Sequence, residues 1–83
     1  MADWRGNLPT EVARQADKII AEIQKSGSII LAVKAGARAH GFVLGLSCAA
    51  CITDDQANRL LAAFDDSTEA KLRELSLWTL AQR

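Results

Sequence analysis

The residues best equipped for chemistry lie close together in this chain: His40, its only histidine, and Cys48 and Cys51, its only two cysteines. A nucleophilic enzyme needs a base beside its thiol or hydroxyl and a third group to orient that base. On a helix, His40 and Cys48 stand about 80° apart around the axis and roughly two turns apart along it, which does not make a catalytic pair. No G-x-S-x-G elbow surrounds any serine. Cys48-Ala-Ala-Cys51 matches C-x-x-C, but a thioredoxin-like site needs a βαβ setting, and a zinc site normally needs four ligands. One chain offers two thiols and a lone imidazole. Two copies together would offer four cysteines, so zinc shared across a dimer stays open. The expectation is two small buried thiols on a helix, with no metal ligand, no cofactor-binding residue and no catalytic residue.

Gly36, Gly41 and Gly45 lie beside Lys34, Arg38 and His40, and glycine next to cations invites a phosphate reading. The Gly spacing of a Walker or dinucleotide loop is absent, as is a following Lys-Ser/Thr. Nucleic-acid binding is the more serious alternative, because Lys25, Lys34, Arg38 and His40 would make a local basic patch. Yet the ten basic residues are balanced by ten acidic ones, so no net field draws the molecule to phosphate. A recognition helix also presents several polar or basic residues on one face. The segment around Arg38 is too apolar for that, and the next helix opens with Asp54 and Asp55.

The elements that carry these residues follow from periodicity and end signals. Leu8, Val12, Ala16, Ile19, Ile20 and Ile23 keep the spacing of one helical face. Pro9 belongs in a first turn, Asn7 or Thr10 is placed to cap, and Lys25-Ser26-Gly27 reads as a stop with glycine free to take positive φ. A first helix is predicted over about 8–26. Ser28 then caps "IILAVKAGARAHGFVLGLSCAAC", whose alanine content favours a buried central helix. The competing reading is a β-hairpin within 29–46. Its two apolar runs do not alternate with polar residues, and no Asn-Gly turn joins them. Thr53 with Gln56 forms a capping box, and Asp55 and Arg59 are spaced to pair. Asp66 with Glu69 repeats the signal, with Glu69 spaced to pair with Arg73. This predicts helices over 54–64 and 67–81, or one continuous helix.

The fold class expected is therefore all-α, a three- to four-helix bundle, with an α+β arrangement around a hairpin as the alternative. One domain covers 1–83, with 1–7 as a flexible N-terminus. At this size a single core is marginal, and small chains often gain stability from a second copy. Val33, Ala37, Gly41, Gly45 and Ala49 recur every four residues, a row of little bulk along which two helices approach closely. Each interior glycine costs about 1 kcal/mol relative to alanine, so the row needs a compensating contact. That contact is either a crossing inside the monomer or a homodimer seam, flanked by Lys34 and Arg38. Trp4 and Trp78, near opposite ends of the chain, suit either core caps or interface anchors.

The expected interface residues are thus Trp4, Lys34, Ala37, Arg38, Gly41, Gly45, Ala49 and Trp78. The function expected is a small non-enzymatic regulator or inhibitor that binds another protein and acts as a homodimer. The alternative is a helical DNA-binding transcriptional regulator. In its general look, a short near-neutral helical chain, it resembles accessory regulators carried by phages and other mobile elements. The start "MADWRGNLPTE" lacks the pattern of a secretory signal, so a cytoplasmic location with reduced thiols is expected. Residues 28–52 are long enough to span a membrane, but Lys34 and Arg38 would each cost roughly 2.5–3.5 kcal/mol near its centre. No membrane association is expected.

Overall fold

A computed structural model describes residues 4–81 of the chain, with side chains described through residue 77. Helix α1 spans Thr10–Gln24, α2 Ile29–Cys48 and α3 Asp54–Ala81. All three pack on one another in a body of 47 × 25 × 18 Å. The protein is all-α, and α2 occupies the whole of the 29–46 hairpin alternative. Ser28 starts that helix as expected, its hydroxyl accepting from the Leu31 N–H at 3.2 Å.

Helix α1 is an amphipathic helix that turns Val12, Ala16, Ile19 and Ile23 into the core. Its start differs from expectation. Pro9 itself holds the N-cap position, and no side chain caps the helix. Asn7 instead takes a left-handed φ of 63°, a conformation asparagine tolerates better than most residues, and its carbonyl accepts from Gln56 Nε2 at 3.0 Å. Residues 4–7 are tied to both α1 and α3 through this bond and the Arg5–Asp17 ion pair. The stop also differs: none of the described glycines has positive φ, and the buried Ser26 hydroxyl donates to the Glu22 carbonyl at 3.1 Å.

The left-handed residue at a helix end appears instead after α2. Ala50 has φ 57°, the Cys51 N–H donates to the Leu46 carbonyl at 2.9 Å, and the Ala50 N–H to the Ser47 carbonyl at 3.1 Å. This paired closure normally uses glycine, because a Cβ in the left-handed region costs roughly 1 kcal/mol. Ala50→Gly is therefore expected to stabilise the fold by about 0.5–1 kcal/mol, raising Tm by about 2–8 °C in a thermal melt.

Helix α3 opens with the expected reciprocal cap. The Thr53 N–H donates to Gln56 Oε1 at 2.8 Å and the Gln56 N–H to Thr53 Oγ1 at 3.1 Å. Asp55 pairs with Arg59. The helix then runs through Asp66 and Glu69 without a break, so the second capping signal is unused. No glycine or proline lies between 54 and 81 to end the helix, and packing of Phe64 and Thr68 against α2 holds its middle. Lys71 pairs with Glu74 at 3.0 Å; the Glu69–Arg73 pair does not form.

Phe64 and Leu60 are fully buried at the centre of the core, with Ile19, Ile23 and Val43 around them. Phe42 meets Phe64 edge to face, ring centroids 6.4 Å apart. From α2 the core takes mostly small residues: Ala32, Gly36, Ala39 and Val43. A Cβ placed on Gly36 would lie 3.1 Å from both Oγ1 and Cγ2 of Thr68. Gly36 is thus the glycine that brings α2 close to α3.

Candidate interaction surface

The packing row of α2 is not the one singled out by spacing. Val33, Ala37, Gly41, Gly45 and Ala49 are all exposed, and a Cβ on Gly41 or Gly45 would meet nothing within 4 Å. The crossing inside the monomer is therefore excluded for this row. Nor is α2 a buried central helix. Helices α1 and α3 cover one side of it and leave the other open, where Ile30 is 69% exposed and Leu44 65%. A helix apolar on nearly all sides needs cover on all sides, and two neighbours do not supply it.

This open side continues onto α3. Val33, Gly36, Ala37 and His40 line one shallow cleft with Asp65, Thr68 and Leu72, of about 550 Å³. His40, Gly41, Leu44 and Ser47 line another with Asp54, Asn58 and Leu61, of about 670 Å³. Between the clefts, His40 Nε2 lies 2.6 Å from Asp65 Oδ1. The two clefts form one long face on the α2–α3 pair. Helix α1 packs from elsewhere: Arg38, pointing its way, pairs with Glu22 at 2.7 Å.

The chemistry this face supports is limited. His40 has Asp65 as its only hydrogen-bond partner among the described residues, and neither thiol bonds to it. Among the described residues no group of three or more His, Cys, Asp or Glu side chains converges to hold a metal ion. Cys48 and Cys51 are exposed rather than buried. They occupy the last residue of α2 and the turn after it. Exposed apolar surface is what the face chiefly presents.

Of the residues expected at an interface, Lys34, Ala37, Gly41 and Gly45 lie on the uncovered part of α2, and Ala49, exposed as well, caps its C-terminus. The Lys34 side chain makes no hydrogen bond or ion pair among the described residues. Arg38 is engaged by Glu22 on the α1 side. Trp4 is half-buried against the core, with the Arg5 guanidinium 4.3 Å from its ring centroid, and so caps the bundle. The side chain of Trp78 lies outside the described residues. Spacing missed Ile30, Leu44 and all of the α3 contribution. One signal for them was present: only three or four helices were available, and one was apolar all round.

At the end of the bundle Leu75 of α3 lines a small cleft with Ser26, Gly27 and the Lys71–Glu74 ion pair, and α3 continues from there to Ala81. Ile29 and Leu31, which begin α2, and Leu77 are exposed. Helix α2 is long and apolar enough to cross a membrane by length and composition alone, with Lys34 and Arg38 within it.

No protein-family model matches this chain, and no curated protein or solved structure does either.

Proposed function

We propose that this chain is a small non-enzymatic regulatory or inhibitory protein of the cytoplasm that acts by binding another protein, as a homodimer. The observation that carries the reading is the exposure of six large apolar side chains, Ile29, Ile30, Leu31, Val33, Leu44 and Leu77, in a domain with so little core. Clustered exposed apolar residues mark interaction surfaces rather than ordinary solvated ones. Ile30, Val33 and Leu44 lie on the lateral face of α2, which suits one partner, and Leu77, toward the end of α3, suits the regulated protein. Anchoring by large apolar groups is the usual source of binding energy at such sites.

DNA binding is the weaker alternative. Asp54 and Asp65 stand on the open face and would repel phosphate, and Arg38 is already paired. Affinity capture from the native cell, comparing the parent protein with Leu77→Glu, tests the proposed role. A protein recovered with the parent and reduced at least ~10-fold with the variant, at unchanged Tm, supports it. Equal recovery by both proteins, or recovery of nucleic acid alone, contradicts it.

A further inference from the structure

We infer that the lateral face is covered by a second copy of this chain, its α2 lying antiparallel over the first α2 about a two-fold axis near residues 40–41. This rests on the proposed reading of the protein as a homodimer and names the face and the direction by which the copies join. The face is built by Ile30, Val33, Ala37 and Leu44 from α2 and by Leu61 and Leu72 from α3.

Charge placement selects the occupant and its direction. The Lys34 side chain, on the first half of α2 at the edge of the open side nearest α1, has no hydrogen-bond or ion-pair partner among the described residues. The last turn of α2 carries no basic residue, although a helix C-terminus attracts cations. An antiparallel copy places each Lys34 beside the other copy's α2 C-terminal end. A parallel copy would set Lys34 against Lys34. At the centre of the face His40 Nε2 and Asp65 Oδ1 already lie 2.6 Å apart, so covering them leaves each with a hydrogen-bond partner.

Shape and area agree with this. About two-fold symmetry near residues 40–41, Leu44 of one copy falls opposite Ala37 of the other, a large residue over a small one. Gly41 and Gly45 present no side chain to keep the helices apart. A helix pair about 30 Å long and 20 Å wide offers ~600 Å² per copy, or ~1,200 Å² in total, which reaches the lower bound for a stable interface. Contact between α2 helices alone would provide about half of that, so α3 has to contribute.

The direct test is cross-linking in the full chain with Cys48→Ser and Cys51→Ser, both at exposed positions. Gly41→Cys is placed near the two-fold axis and has open space around it, so oxidation should give a disulfide-linked dimer. Lys34→Cys is the control, because antiparallel copies hold the two positions ~20 Å apart, beyond the reach of a disulfide. Leu44→Glu should weaken the dimer on the order of 100-fold in sedimentation equilibrium, since each dimer would bury two unpaired carboxylates. Efficient cross-linking through Lys34→Cys but not Gly41→Cys would overturn the antiparallel arrangement. A monomeric parent protein at high micromolar concentration would overturn the second copy altogether, as would partition of that monomer onto phosphatidylcholine vesicles. A monomer would also remove the homodimer from the proposed function, whereas cross-linking through Lys34→Cys alone would overturn only the arrangement inferred here, and capture of a target that depends on Leu77 would survive either result.

Discussion

Phe64→Ala is expected to cost about 3–5 kcal/mol, the largest effect of any single truncation in this fold. Phe64 is fully buried, touches the core from the middle of α3 and meets Phe42 edge to face. Alanine would remove its apolar surface from the core and leave a cavity that three helices fixed by short connections cannot close. A domain of this length has a total stability on the order of 4–12 kcal/mol, so the variant should be substantially unfolded on mild heating. Urea unfolding followed by circular dichroism measures the loss; a change below about 1 kcal/mol would mean the core is not centred on Phe64.

The second large effect concerns a glycine. Gly36→Leu should destabilise by about 2–3 kcal/mol, because its side chain would be driven into Thr68 where a Cβ alone would already lie 3.1 Å away. The same substitution at Gly45 meets open space and should leave the monomer as stable or more so, since leucine is the better helix former. The contrast separates the two glycine roles in one helix. Gly36→Ala gives a finer check: helix propensity favours it by about 1 kcal/mol, while the tight contact opposes it. It should turn clearly stabilising once Thr68→Ala removes the obstruction. Equal behaviour of leucine at 36 and 45 would show that α2 is packed in a different rotation.

These two residues also mark how far the sequence was legible. Helix α1 and the Thr53–Gln56 cap follow from local rules that the tertiary structure leaves intact. Helix α2 was legible as a helix through Ser28 and its alanines, but its rotation was not. Ala32, Gly36 and Ala39 are as small as Ala37, Gly41 and Gly45, and a helix apolar on nearly every side gives no periodic signal to choose between adjoining rows. Only the position of Thr68, 32 residues away along the chain from Gly36, decides the matter. The Asp66–Glu69 signal failed for a related reason: a capping box starts a helix where one has ended, and nothing between 54 and 81 ends α3. The α3 half of the open face depends on how the helices pair, so no local pattern contains it. Trp4 was ambiguous because an N-terminal tryptophan becomes a core cap or an anchor according to where its neighbour's ion pair, here Arg5–Asp17, draws the chain.

The central claim is that the open face of α2 and α3 is an interface between copies. Amide NMR spectra recorded as the protein is diluted from millimolar to micromolar concentration test it most directly. Signals of Val33, Ala37, Gly41, Leu44, Leu61 and Leu72 should move together on dilution, while those of Val12, Ala16 and Ile23, buried on α1, stay in place. Unchanged spectra together with a monomeric mass from sedimentation at millimolar concentration, or changes confined to α1, would contradict the account.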